Sequence, residues 1–187
     1  WRQYLIGENK KTGEWIPTNS KFRDSNFFKA LQEFLVHPYL NKLLEKNDLY
    51  LDFKLHPIFK IYQDEFIINS ERVTFAENSI KDEEYCIFIT DFSSFVFDFA
   101  YLKRPIIYFV PDMAEFKSGM NQYRELDLPF EKAFGELVTD SNMAVKELEK
   151  IIENNYYPSE KYRERMEKFY LPMEDSCEMI YQYSKKL

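Results

Sequence analysis

Two apolar runs flank a polar knot and a helical pattern near the middle of this chain. Residues 85–90 read as a buried strand. Polarity then rises across Thr90, Asp91, Ser93 and Ser94, and a helical spacing of apolar side chains follows through Phe99 and Ala100. Residues 105–110 read as a second strand. Such a strand–helix–strand unit places hydroxyls and an aspartate at the C-terminal tip of the first strand. Ligands of open parallel sheets bind at that edge. The start of the helix there offers backbone N–H groups and a positive dipole end, which suit a phosphate.

The same reading extends in both directions. Residues 1–23 are polar and read as irregular, with Gly7, Gly13 and Pro17 as punctuation. Asp24 or Ser25 can cap a helix from Asn26, carrying Phe27, Phe28, Leu31, Phe34 and Leu35 as a core-facing stripe. Pro38 ends that pattern or opens a second helix with Leu40, Leu43 and Leu44. Residues 49–55 read as a strand, 58–72 as a loop with a short helix, 73–76 as a short strand and 79–84 as one or two helical turns. A long connection covers 111–136; loops of that length are often functional. A short strand at 137–139 and a helix capped by Ser141 follow. One or two amphipathic helices run on after Pro158. Alternating strands and helices predict an α/β fold: a Rossmann-like parallel sheet of four or five strands, with helices on both faces. The usual first strand of such a domain is expected upstream of these residues.

Composition narrows the chemistry. The chain has 187 residues, 45% of them hydrophobic and 18% aromatic, which suits one domain with a real core. Four glycines are too few for a glycine-rich dinucleotide loop, and no such motif is present. A net charge of −7 argues against a nucleic-acid partner. Cys86 and Cys177 form no metal spacing and no disulfide framework, so neither a metal nor a cofactor is expected, and a reduced, cytoplasmic setting fits. No apolar run reaches membrane-spanning length. The chain opens at Trp1 without an initiator Met, so it is expected to be cut from something longer.

Lys54, His56, Thr90, Asp91, Ser93, Ser94 and Asp98 form the strongest candidate constellation. Parallel strands put the tip holding Lys54 and His56 on the same edge as the Thr90–Ser94 knot. A cation, an imidazole and two hydroxyls there suit a diphosphate. Asp98, about one turn into the helix, can accept hydrogen bonds from ribose hydroxyls. Structural readings stand beside these. Ser93 and Asp91 can serve only as caps, His56-Pro57 can be a turn with a satisfied imidazole, and Asp98 can be a solvated helix residue. For His37 the structural reading is the favoured one.

These residues also resemble a known family. Phe53-Lys54-Leu55-His56-Pro57 is similar to a K-x-H-P strand end. Ile89 through Ala100, continued by Leu102, Pro105, Ile107 and Tyr108, is similar to the signature I-T-D-Y-S-S-x-x-F-D-x-x-x-L-x-x-P-x-I-F. Both are marks of the CDP-glycerol glycerophosphotransferases, the teichoic-acid primase and polymerase family. Trp1-Arg2 matches the end of the family's P-T-W-R segment, and residues 123–135 resemble its Y…F-G region. Phe92 stands where the motif has Tyr.

The resemblance implies a GT-B-type fold, with this chain as a single, N-terminally truncated donor-binding domain over 1–187, residues 155–187 forming helices that pack on it. It implies a transferase that moves glycerol phosphate, or ribitol phosphate, from a CDP-alcohol to a lipid-linked polymer acceptor with release of CMP. By carry-over, Ser93, Ser94 and His56 contact the diphosphate, His56 helps the leaving CMP if protonated, Asp98 holds the ribose, and Lys54 and Arg2 neutralise charge. The acceptor and the general-base histidine belong to an N-terminal domain, so the chain alone is expected to be inactive. The parent is expected at the inner face of the cell membrane as a peripheral protein. The competing readings are a GT-B glycosyltransferase domain using a sugar nucleotide and a non-catalytic interaction domain.

Overall fold

The structure is a computed structural model and describes residues 2–76, 82–120, 126–170 and 176–186. Its N-terminal stretch is ordered into elements where polarity alone had suggested irregular chain. Strands β1 (Ile6–Glu8) and β2 (Trp15–Pro17) pair antiparallel, and α1 (Asn19–Asp24) follows. The hairpin is pinned from a distance. Tyr62 donates its hydroxyl hydrogen to the Leu5 carbonyl at 2.8 Å and accepts the Thr18 N–H at 2.7 Å. Nothing local in the sequence reveals that partner.

Helix α2 (Asn26–Leu35) starts where Ser25, in extended backbone, accepts the Phe28 N–H at 3.1 Å. Phe27, Phe34 and Leu35 are its buried face. Helix α3 (Pro38–Lys46) opens on a proline, whose fixed φ and missing N–H suit a first turn. Strand β3 (Leu51–Phe53) is shorter than its apolar run, because the chain turns at His56-Pro57 into successive 3-10 turns over Pro57–Glu65. Strand β4 (Val73–Phe75) then pairs parallel with β3, Leu51 opposite Val73. Of the turns expected over 79–84, Asp82–Glu84 is a 3-10 turn, and 77–81 lie outside the described residues.

The central unit follows as expected: β5 (Phe88–Thr90), α4 (Val96–Tyr101) and β6 (Ile106–Phe109). The long connection after it is not structureless. It holds α5 (Met113–Lys117) and a 3-10 turn at Phe130–Lys132, with 121–125 outside the described residues. Strand β7 (Gly135–Val138) leads to α6 (Ser141–Glu153). The cap of α6 is Asp140 rather than Ser141: Asp140 is extended and its Oδ1 accepts the Met143 N–H at 2.9 Å. Ser141 lies inside the first turn, buried, with its hydroxyl on Glu33 at 3.3 Å. Helices α7 (Glu160–Phe169) and α8 (Ser176–Ser184) complete the chain. Helix α7 buries Tyr162 and Met166, and α8 buries no side chain.

Among the described residues, five strands run parallel in two hydrogen-bonded groups, β3-β4 and β5-β6-β7. Tyr85, just before β5, donates to Asp52 Oδ2 of β3 at 3.0 Å and so ties the groups together. Strand β6 is buried on both sides, and its side chains alternate between two cores. Ile107 and Phe109 join Phe34 of α2 and Val145 and Leu148 of α6. Ile106, Tyr108 and Val110 join Val96, Phe99 and Ala100 of α4 and Met166 of α7. Helices therefore cover both faces, as the continuous apolar run at 105–110 required.

Candidate active site

The tips of β3 and β5 meet at one edge. Lys54 Nζ stands 5.5 Å from the centre of the Phe95 ring, in the turn after Ser94. The Asp91 charge acts on the His56 imidazole. The structure thus brings Lys54, His56, Asp91, Ser93 and Ser94 together at the C-terminal strand edge, with Thr90 buried beneath them. Lys54, His56, Ser94 and Asp98 are exposed, and Ser93 is half-buried. Asp98 lies one turn beyond Ser94 on the outer side of α4.

A buried arginine underlies this edge. Arg2 is 1% exposed, and its fork grips Asp112 twice: Nε to Oδ2 at 2.5 Å and Nη2 to Oδ1 at 2.7 Å. Its Nη1 pairs with Asp91. Burial alone works against the guanidinium charge; the carboxylates of Asp91 and Asp112 outweigh it and raise the Arg2 pKa. The Phe27 ring lies 3.9 Å from the guanidinium carbon. Tyr4 adds a hydrogen bond to Asp112 at 3.1 Å. One side chain therefore locks the chain just beyond β5 to the chain just beyond β6. Its charge is matched by two carboxylates, and those contacts make Arg2 a support of this edge. Asp112 and Tyr4 went unnoticed in the sequence, where a lone Pro-Asp after a strand carries no signal of its partner.

The serine knot differs in detail from a helix-start cradle. The N-cap of α4 is Phe95, and no side chain caps it. Ser93 Oγ accepts the Phe95 N–H at 3.3 Å. The N–H groups of Val96, Phe97 and Asp98 donate to the carbonyls of Ser93, Ser94 and Phe95. Backbone donors expected to stay open at the helix start are thus engaged within the turn, which leaves the serine hydroxyls as the offered polar groups. Phe92 stacks on Phe116 at 4.7 Å, so the ring that stands at the motif's aromatic position is used in packing.

Both His-Pro pairs act as caps. Nδ1 of His56 accepts the Ile58 N–H at 3.3 Å, and Nδ1 of His37 accepts the Tyr39 N–H at 3.2 Å. An acceptor Nδ1 leaves the ring hydrogen on Nε2. Burial lowers the His56 pKa, against an opposing pull from Asp91. The neutral imidazole is therefore favoured at pH 7 when no anion is bound beside it. His37 lies elsewhere, near Asn142 at 3.2 Å, in a structural role.

Among the described residues, no group of three or more His, Cys, Asp or Glu is placed to hold a metal ion, and no helix is long and apolar enough to cross a membrane. Two clefts, of about 300 and 440 Å³, lie away from the serine knot, beside Pro105 and Arg104 near the start of β6. The convergence of motif side chains, and not cavity size, marks the candidate site at the opposite edge.

Comparison with known proteins agrees with the motifs. The family model for CDP-glycerol:poly(glycerophosphate) glycerophosphotransferases matches residues 4–178. The minor teichoic acid biosynthesis protein GgaB of Bacillus subtilis (strain 168) is 28% identical over 178 residues, covering 91% of this chain and 19% of that protein. The teichoic acid poly(glycerol phosphate) polymerase of Bacillus spizizenii is 31% identical over 185 residues, covering 94% of this chain and 44% of that protein. This chain thus spans less than half the length of either relative. A solved structure of the wall teichoic acid polymerase TagF aligns with a TM-score of 0.49 at 20% identity, over 75% of this chain and 34% of that one.

Proposed function

We propose that this chain, which belongs to the CDP-glycerol:poly(glycerophosphate) glycerophosphotransferase family, is the donor-binding part of a transferase that moves glycerol phosphate, or a related polyol phosphate, from a CDP-alcohol to a teichoic-acid-type polymer. The observation that carries the reading is the meeting of Lys54 and His56 with Asp91, Ser93 and Ser94 at one edge of a parallel sheet. That edge is where such sheets take nucleotides. The GT-B placement and the peripheral membrane setting of the whole protein belong to the same proposal.

In this reading the Ser93 and Ser94 hydroxyls donate to phosphate oxygens of the donor. His56, neutral, donates from Nε2, and Lys54 supplies the positive charge. Asp98 accepts from the ribose hydroxyls. Arg2 acts through Asp91, holding the knot in place. Transfer forms a bond between an acceptor hydroxyl oxygen and the β-phosphorus and breaks the bond from that phosphorus to the bridging oxygen. CMP leaves with that oxygen and its electron pair, and the acceptor hydroxyl proton passes to a base. Such chemistry asks for positioning and charge stabilisation more than for covalent help. The acceptor and that base are assigned to no residue of this chain.

Two measurements test the reading. With CDP-glycerol and a polymer acceptor, the isolated chain should bind nucleotide yet release no CMP; sustained CMP release overturns the donor-half assignment. Asp98→Asn should erase a preference for CMP over deoxy-CMP. A preference that survives removes Asp98 from the ribose site.

A further inference from the structure

The end of α4 away from the serines borders the cleft of about 440 Å³, where Lys103, Arg104 and Arg163 meet Cys86, Asn155 and Glu167. In a chain of net charge −7, the described residues that line this cleft include three cations and one carboxylate, with Glu160 beside Arg163 at its edge. Lys103 is committed to Glu167 at 3.2 Å, and Arg163 stands only loosely near Glu160 at 3.9 Å. Arg104 is half-buried, and its Nε is buried with no hydrogen-bond partner among the described residues. That nitrogen is enclosed and does not open on the cleft, so what a ligand meets there is the outer end of the Arg104 guanidinium, beside Arg163 and Lys103.

The backbone points the same way. Lys103, Asn155 and Tyr156 are three of the four non-glycine residues with positive φ among the described residues, at 54°, 54° and 62°. They end α4 and α6 in tight turns closed by Arg104 N–H to the Phe99 carbonyl at 2.9 Å and Tyr156 N–H to the Ile151 carbonyl at 3.0 Å. Glycine would make these turns at lower strain, so the side chains kept there set the shape of the walls. The partial negative charge of the helix ends accounts for a nearby lysine. It does not account for two arginines gathered on the same cleft wall.

We propose that this cleft is an anion site that takes a phosphate group, held by the guanidinium groups of Arg104 and Arg163 with Lys103 at the rim. Guanidinium forks match the paired oxygens of a phosphate. The site is separate from the serine knot and stands whether or not the donor assignment does. The phosphate can belong to a free monoanion or dianion or to a phosphodiester chain.

Cys86 in the cleft wall reports occupancy. Burial raises its thiol pKa while the Arg104 charge pulls it down, so an anion on Arg104 both shields the thiol and suppresses its thiolate. With Cys177→Ser removing the other thiol, alkylation of Cys86 by uncharged iodoacetamide is followed with inorganic phosphate, with a glycerol phosphodiester oligomer, and with acetate at equal ionic strength. Phosphate or the oligomer above its dissociation constant should slow alkylation by about threefold or more, and whichever does so identifies the source. The slowing should vanish in Arg104→Met and in Arg163→Gln, the latter on the exposed side of α7, and persist in Ser93→Ala/Ser94→Ala. Equal slowing by acetate, slowing that survives both arginine variants, or no slowing with either phosphate compound overturns the proposal.

Discussion

Replacing Arg2 by methionine strips two carboxylates of their counter-charge, and one of them, Asp112, is 0% exposed. Breaking a buried ion pair from one side costs about 3–5 kcal/mol. Arg2→Met is therefore expected to lower the unfolding free energy by that order in chemical denaturation. Arg2→Lys should recover only part, because a point charge cannot reproduce the fork on Asp112. A loss near zero would remove Arg2 as the support of the site.

His56 gives a pH signature. Its folded-state pKa lies below the unfolded value, so the unfolded chain takes up the proton first as pH falls. Its contribution to stability is full above about pH 6.5 and is lost as pH falls through the lowered folded value. His56→Gln should flatten the pH dependence of the denaturation midpoint in that window; an unchanged slope contradicts the assignment. The motif residues were legible because Lys54, His56, Ser93, Ser94 and Asp98 lie in two short local patterns. The Arg2–Asp112 pair, 110 residues apart, leaves no local trace.

Among the elements, those buried on both faces were the most legible. The run at 105–110 could satisfy its apolar side chains only as a central strand, and β6 is that strand. The β1–β2 hairpin was not legible, since its exposed β2 carries no alternation and its anchor is Tyr62. The cap of α6 was displaced by one residue because Asp and Ser are adjacent and equally able to cap; the extended backbone falls on Asp140. Gly135 is the tightest element-scale constraint. A Cβ there would lie 2.0 Å from the Ile106 carbonyl oxygen, across the β6–β7 pairing. That neighbour is backbone and cannot swing aside. Gly135→Ala is thus expected to cost roughly 3 kcal/mol or more, read as a lowered melting temperature. A variant as stable as the parent would show that β7 can slide without loss.

For the molecule as a whole, local patterns reached the α/β class and the family to which the chain belongs. The division of the parallel strands into two groups belongs to tertiary geometry that spacing does not encode. The central claim is that this edge holds a cytidine diphosphate donor through the paired serines. The most direct measurement is calorimetric titration of the chain with CDP-glycerol, CDP-ribitol, CMP and a UDP-sugar, beside the Ser93→Ala/Ser94→Ala variant. Hydrogen bonds to charged groups are worth roughly 1.5–3 kcal/mol each, so the variant should lose at least about tenfold in affinity for the CDP-alcohols, which the parent should prefer over the UDP-sugar. A preference for the UDP-sugar, undiminished affinity in the variant, or a folded chain that takes up no cytidine nucleotide would contradict the account.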